Sequence, residues 1–249
     1  PKSAGFAAAD LFRKDPDRSR ERIAQWLDSG DPDAVRAGVI AAGQTGSEGF
    51  SDKLSRLLTD ERTEEFRAEV IESLRRIGPP EDSSLFAPFL FHSKTKVRYA
   101  ALQATPVTDD QALARAIELV GDSSRKIRKL AREKIESAPH QNARMLIEAL
   151  SNPRRRVRQQ IYAILEALNI RDLDAYHYVR DQARKSYRCL EDAQKLSQFA
   201  PCDERDLLID HLQQKQQVIL ENSLRVLAAQ DGSGKMSIIL RGILSADAE

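Results

Sequence analysis

The segment Asp231-Gly-Ser-Gly-Lys-Met236 is the stretch that most resembles a phosphate-binding loop. Such a loop needs Gly-x4-Gly-Lys followed by Ser or Thr, because backbone amides cradle the phosphates and the hydroxyl holds magnesium. Here Ala229 stands in place of the first glycine and Met236 in place of the hydroxyl. The preceding residues are patterned as a helix, so the segment predicts a turn between helices and no nucleotide site.

The cysteines and histidines do not follow a metal-binding pattern. Cys189, Cys202 and His211 are widely spaced, whereas structural zinc ligands usually come in pairs two to four residues apart. The four histidines, His92, His140, His177 and His211, are scattered, and His92 occupies a position that suits a helix cap. We therefore predict no catalytic residue, no metal and no cofactor. Two cysteines provide no disulfide framework, which favours a reducing, cytoplasmic setting.

An apolar residue followed by arginine recurs along the first two-thirds of the chain. The arginines are separated by 31, 31, 30 and 30 residues, at Arg36, Arg67, Arg98, Arg128 and Arg158. Apolar residues three and four positions after most of these arginines complete one face of a helix. Nine residues before each of the first four, Leu27, Leu58, Phe89 and Leu119 end a preceding amphipathic helix, and Ala149-Leu150 does so in the fifth copy.

Turn residues separate the two helices of each copy. The turns are rich in Asp, Ser, Asn and Pro, as in Ser29-Gly-Asp-Pro32 and Ser151-Asn-Pro153. Such residues cap a helix or fit its first turn. One helical pair cannot bury its apolar face alone, but stacked copies can. The pattern predicts an all-α fold with five helical hairpins in residues 17–170, after an N-terminal helix or linker in residues 1–16.

This hairpin resembles the HEAT repeat, in particular the short bacterial type of the phycobiliprotein-lyase-like group. The shared pattern is Asp-x4-Val-Arg-x2-Ala, as in Asp122-Ser-Ser-Arg-Lys-Ile-Arg128-Lys-Leu-Ala131. The resemblance implies a right-handed α-α superhelix, or solenoid. It also implies a structural ladder in which acidic residues and arginines of successive repeats pair. The ladder positions are Arg36, Arg67, Arg98, Arg128 and Arg158 with Glu61, Asp122 and Asn152, where His92 takes the acidic place in the third copy.

The 30-residue register is lost after Ile170. Helical patterning continues at Leu173–Tyr187, Leu190–Phe199, Asp203–Gln213, Gln217–Ala229 and Met236–Leu244. We expect residues 171–249 to continue or cap the solenoid with irregular helices. The sequence from Gln216 to Ser245 is similar to the HEAT region of bacterial proteins that join HEAT repeats to a membrane domain of the ATP/ADP translocase or major-facilitator type. That resemblance implies a fragment of a larger protein at the cytoplasmic face of the inner membrane.

Basic residues concentrate in the middle of a chain whose formal net charge is only +1. Residues 92–158 hold 15 Lys or Arg against 7 Asp or Glu, a net charge of +8. The excess falls on two second helices, at Arg125, Lys126, Lys129, Arg132, Arg154, Arg155 and Arg156. Because second helices line the concave side of a HEAT stack, we predict an anion- or partner-binding groove there. A solvated face without function is the competing interpretation.

Several functions remain open from the sequence. We predict a non-catalytic interaction or regulatory domain that binds a protein partner, the remainder of its own polypeptide or anionic lipid head groups. The alternatives are a HEAT-type enzyme, either bilin lyase-like or a DNA glycosylase, and a nucleic-acid-binding solenoid. Nucleic acid is disfavoured because aromatics make up only 6% of the chain, and Trp26 lies in an apolar helix stripe.

Overall fold

A computed structural model of the chain describes residues 15–78, 83–138, 142–168 and 175–231, together with residues 3, 6 and 7. Within these ranges the chain is helical and contains no strand. The α-helices are α1 (Pro16–Leu27), α2 (Pro32–Thr45), α3 (Ser51–Leu57), α4 (Arg67–Ile77), α5 (Thr95–Ala104), α6 (Asp110–Leu119), α7 (Arg125–Glu136), α8 (Ala143–Ala149), α9 (Arg155–Leu168), α10 (Tyr176–Ser197) and α11 (Asp203–Gln230). Short 3-10 helices span Glu48–Phe50, Glu61–Thr63 and Ser83–Phe89.

The chain divides into two compact units. Unit one comprises Pro1–Thr108 with Asp122–Lys134, and unit two comprises Asp109–Gly121 with Ile135–Glu249. Helices α1 to α5 and most of α7 therefore belong to unit one. Helices α6 and α8 to α11 belong to unit two.

Local sequence explains where the first helices begin and end. The Asp15 carboxylate accepts a hydrogen bond from the amide of Arg18, and Asp31 does the same for Asp33, so each aspartate caps a helix that starts with proline. Helix α2 ends at Thr45 and is capped by Gly46, whose φ of 64° lies in the left-handed region that favours glycine.

The core of unit one lies between stacked helices. Helix α1 packs on α2, α2 on α4, and α4 on α5, so the helices with the recurring arginines are neighbours. Their apolar stripes are fully or almost fully buried, as at Val35, Val70 and Val97. The closest approach is at Gly43, where an added Cβ would lie 2.5 Å from the Ser73 hydroxyl oxygen. Helices α2 and α4 can come this close because glycine has no side chain.

The first helix of the third copy differs from the predicted α-helix. Residues Ser83–Phe89 form a 3-10 helix that contains Pro88. Proline lacks an amide hydrogen and clashes with the preceding turn, so a regular α-helix is disfavoured here. The segment nevertheless packs against α5 and buries Phe86, and Leu90, directly after it, is buried as well. These two residues supply apolar side chains to the core in place of the predicted α-helix.

Unit two also consists of packed helices. Helix α6 packs on α8 and α9, α8 packs on α9, and α9 packs on α11. Buried apolar residues join these elements, with Leu113, Leu146 and Ile161 completely inaccessible to solvent. Helices α10 and α11, of 22 and 28 residues, pack closely along each other as a long hairpin.

The C-terminal helices are longer than predicted. Helix α11 is continuous where the sequence predicts two helices, at Asp203–Gln213 and Gln217–Ala229. The polar residues between those segments are glutamines and a lysine, which are good helix formers, so nothing there ends the helix. The predicted segments Leu173–Tyr187 and Leu190–Phe199 likewise merge into α10, which runs from Tyr176 to Ser197 and does not include Ala175, Gln198 or Phe199. Residues 173–174, the predicted helix Met236–Leu244 and the loop from Gly232 to Met236 lie outside the described residues.

The fold class is therefore all-α, with adjacent helices packed in pairs as predicted. The predicted boundaries at residues 16/17 and 170/171 and the capping role of the C-terminal helices remain predictions. Among the described residues, no helix combines the length and the apolar content that crossing a bilayer requires.

Candidate partner-binding surface

Five turns share one hydrogen bond, which defines the repeat at the level of atoms. In each turn a side chain accepts a hydrogen bond from the backbone amide two residues later, at 2.7 to 3.1 Å. The accepting side chains are Asp31, Asp60, His92, Asp122 and Asn152. Short polar side chains favour this local bond, which starts the helix that follows.

The shared bond corrects the assignment of Glu61 to the ladder. Asp60, not Glu61, makes the turn bond in the second copy, and Glu61 is an exposed residue of the 3-10 helix Glu61–Thr63. The 3-10 turn lengthens this copy by one residue between the acceptor and Arg67. The position six residues before Arg67 is therefore Glu61, one residue after the true acceptor Asp60.

Three of the repeat arginines hold their own turns. Each donates from Nη1 to the carbonyl oxygens of the residues six and five positions earlier, at 2.8 or 2.9 Å, in Arg98, Arg128 and Arg158. Arg67 reaches the Asp60 carbonyl at 3.4 Å, seven residues earlier, which matches the longer turn. These guanidinium groups are therefore structural.

Arg98 also pairs with the turn of the following copy. Its Nε and Nη2 atoms donate to the two carboxylate oxygens of Asp122, at 2.8 and 3.0 Å. The side chains are only 11% and 8% exposed. Burial opposes ionisation of Asp122, but the bonds from Arg98 and the Ser124 amide outweigh it and place the pKa of Asp122 below its ordinary value.

The third copy carries histidine where the fourth carries aspartate. One Nη of Arg67 lies 3.5 Å from Nε2 of His92, and the Arg67 Nε atom is buried without a partner. Burial and then the neighbouring Arg67 and Lys94 lower the pKa of His92. This contact therefore joins a neutral imidazole to a cation.

Arg36 takes a different partner from the one that the ladder predicts. It donates two hydrogen bonds to Glu69, at 2.7 and 2.5 Å, and its guanidinium carbon lies 5.8 Å from the centre of the Phe66 ring. Glu69 lies on the first turn of α4, which packs on α2, so its carboxylate is better placed than the exposed Glu61.

A cleft of about 610 Å³ lies in unit one between α5 and α7. Two residues predicted for the anionic groove, Lys126 and Lys129, line the cleft. The remaining lining residues are Thr95, Lys96, Tyr99, Ser124, Leu130 and Glu133. Lys129 lies 3.5 Å from the Glu133 carboxylate, an exposed pair that contributes little to stability. The cleft combines three lysines with the apolar surface of Leu130 and the Tyr99 ring.

The other predicted groove residues have different environments. Arg125 is exposed at the start of α7, and Arg132 is half-buried further along it. Arg155 and Arg156 are exposed at the start of α9 in unit two. Arg154 forms an ion pair with the carboxylate of Glu118 and also donates to the Glu118 carbonyl at 3.3 Å, so much of its charge is already neutralised.

The predicted groove residues form two sets in different units, with Arg125, Lys126, Lys129 and Arg132 in unit one and Arg154, Arg155 and Arg156 in unit two. A single groove that includes both sets therefore remains a prediction.

The family model described as HEAT repeats matches residues 19–106, which run from α1 to the end of α5. Residues 19–106 are therefore similar to HEAT repeats. The comparisons with curated proteins and with solved structures gave no match. This similarity agrees with the packed helical pairs and with the repeated turn bond in this part of the chain.

Sequence reasoning missed Lys96, which lines the cleft between α5 and α7. A stricter alignment of the repeats reveals it, because Lys96, Lys126 and Arg156 each stand two positions before the recurring arginine. Tyr99 in turn aligns with Lys129, one position after that arginine. Among the described residues, no cluster of His, Cys, Asp and Glu has the arrangement of a metal site.

Proposed function

We propose that this chain is a non-catalytic protein-interaction domain whose cleft between α5 and α7 binds an acidic segment of a protein partner. The exposed cations around the cleft support the proposal. Lys96, Arg125 and Lys126 have no ion-pair partner among the described residues, whereas Arg98 and Arg128 are engaged in the turns. Free cations beside a concave surface raise the local concentration of anionic ligands.

The shape of the cleft favours a peptide over other anions. An extended segment can enter a cleft of about 610 Å³ and place apolar side chains on Leu130 and Tyr99, which a flat lipid surface cannot do. Single-stranded nucleic acid would need several aromatic rings for base stacking, and Tyr99 is the only aromatic lining residue of the cleft described here.

The wider contact set extends beyond the cleft. We keep Arg125, Arg155 and Arg156 as further anionic contacts because all three are exposed and have no ion-pair partner among the described residues. Arg154 is a weaker candidate, since release from Glu118 would oppose its binding to another anion. Arg132 is half-buried and stays a prediction of the sequence pattern.

Binding of a fluorescein-labelled oligoglutamate peptide, followed by fluorescence anisotropy, tests the cleft. We expect the double variant K96E/K126E to bind at least about tenfold more weakly, because two attractive contacts become repulsive. The matched control is R20E/R56E, which makes the same change of net charge at exposed positions of α1 and α3.

Equal loss in both double variants would show that only net charge matters and would contradict the proposal. A wild-type chain that does not bind the peptide would contradict it too.

The double variant R125E/R155E tests the wider contact set, and we expect a smaller but measurable loss of peptide affinity.

A narrower proposal concerns the whole protein. The similarity of the region from Gln216 onward to HEAT regions of transporter-linked proteins supports a place at the cytoplasmic face of a bacterial inner membrane. Cys189 and Cys202 are both free thiols, which agrees with a reducing compartment. Fractionation of cells that express the intact gene tests this proposal. Recovery with the membrane fraction after high-salt washing is expected, and recovery in the soluble fraction would contradict it.

The alternatives of a bilin lyase-like enzyme or a DNA glycosylase gain no supporting feature from the described residues.

A further inference from the structure

The α10–α11 hairpin of unit two has an unusual distribution of side chains. The buried positions on α10 recur at intervals of three or four residues, as in a coiled coil, at Tyr178, Gln182, Ser186, Cys189 and Ala193. On α11 the buried positions include Ile219, Ser223 and Val226. Most of these residues are small or polar, so the contact between the two helices buries few large apolar groups.

Large apolar side chains instead point into solvent. Tyr187, Phe199 and Leu207 are 68%, 69% and 70% exposed. The same hairpin exposes Leu190, Leu208, Val218 and Leu220 to between 43% and 52%. Single exposed apolar residues are common, but a concentration on one element marks a surface that another molecule covers.

Charge is segregated along the hairpin. We call residues 189–210, around the connection between the helices, the tip, and residues 176–188 with 211–230 the base. The tip holds six acidic and two basic residues, a net charge of −4. The base holds six basic and two acidic residues, a net charge of +4. The hairpin is therefore complementary to itself when turned end over end.

We propose that a second copy of this chain docks on the hairpin in antiparallel orientation, with the tip of each copy on the base of the other. This arrangement is a closed two-fold contact in which both ends are attractive. A parallel arrangement would place like charges together. A partner of a single sign, such as an acidic peptide or an anionic membrane, would match only the base, and this mismatch favours a second copy as the occupant. The proposal does not depend on the cleft between α5 and α7.

Sedimentation equilibrium of the full chain at micromolar concentrations tests the proposal. We expect a dimer that weakens as salt is added, because exposed charges are screened. The variant D192K/D210K removes the net charge of the tip, and R188E/K215E removes that of the base. All four residues are exposed, and each pair takes one residue from each helix.

Each double variant alone should dimerise at least about tenfold more weakly, since neither keeps an attractive end. In an equimolar mixture, the intact base of the first variant can meet the intact tip of the second. We therefore expect mixed dimers to form more readily than either variant associates alone. No such recovery would contradict the antiparallel geometry, and a wild-type chain that stays monomeric would overturn the proposal.

The apolar contribution is tested separately with L207S/L208S, which should weaken the dimer by about tenfold or more. The matched control is F91S, which removes a 58% exposed apolar side chain from unit one and should leave the dimer unchanged. Circular dichroism of every variant should match the wild type because all the changed residues are exposed. Equal effects of the hairpin variant and F91S would place the contact elsewhere and refute the assignment to the hairpin.

Discussion

Individual side chains at the turns have two functions in this chain. One acceptor side chain shapes each turn, and in the third and fourth copies an arginine donates to the backbone carbonyl groups of the same turn. Because Asp122 both caps its turn and pairs with Arg98, a charge at this position stabilises two repeats at once. His92 makes the same turn bond without supplying a negative charge.

Replacement of His92 by aspartate should stabilise the chain. The new carboxylate keeps the turn bond to the Lys94 amide and gives the buried Nε of Arg67 an acceptor nearby. We expect a gain of about 1 kcal/mol, as for a well-oriented, partly buried ion pair. Thermal unfolding at neutral pH measures it. The control H92N keeps the acceptor but not the charge and should show little gain. Equal stability of H92D and H92N would contradict a role for charge.

The pKa of His92 also makes the stability of the wild type depend on pH. The folded chain has the lower pKa, so the unfolded chain binds more protons in the range below the ordinary value of 6.5. Stability should therefore decrease as the pH falls from about 6.5 through the lower folded pKa. The groups facing His92 are Arg67, Lys94, Arg98 and Glu64, of which only Glu64 opposes the shift.

Urea unfolding at several pH values, with H92N as the reference, isolates this contribution. The difference between wild type and H92N should change with pH only in the window below 6.5. A constant difference across that window would show that His92 titrates alike in both states.

At the scale of helices, the close approach of α2 to α4 at Gly43 determines how these two second helices of the repeats pack. Gly43 lets α2 approach α4 so closely that a Cβ atom added at Gly43 would lie 2.5 to 2.7 Å from atoms of Ser73. Since one of those atoms is the Ser73 Cα, rotation of the serine side chain cannot relieve the clash. The pairing of α2 and α4 therefore depends on this glycine.

The variant G43A should destabilise unit one by about 1–3 kcal/mol, the usual cost of overpacking a core. Chemical denaturation measures the loss. The control is G30A, because nothing lies within 4 Å of the Cβ position at Gly30 and its φ is not positive. We expect G30A to stay within about 0.5 kcal/mol of the wild type, as surface substitutions usually do. A loss of similar size in both variants would contradict the importance of the close approach.

At the scale of the whole molecule, the sequence predicts the class of fold better than its details. The recurrence of Arg36, Arg67 and Arg98 identifies the stacked second helices because their apolar neighbours must face one core. Two predictions were wrong. The sequence predicts an α-helix where Ser83–Phe89 forms a 3-10 helix, and two helices where α11 is continuous. Hydrophobic periodicity does not show how a helix accommodates a proline or a run of glutamines. Lys126 and Lys129, which the sequence assigns to a predicted groove, line the cleft between α5 and α7. Lys96 was overlooked, although it holds the same repeat position as Lys126. The binding role of these residues stays a prediction.

Arg98 holds both the turn before α5 and the side chain of Asp122. If the turn at Asp122 opens, the guanidinium loses its carboxylate and the preceding turn loses part of its support. Local unfolding of either turn therefore destabilises the other turn. The smallest segment that can unfold at a low free-energy cost is consequently longer than one helical pair. We therefore expect this stretch to resist proteases that cleave transiently opened loops.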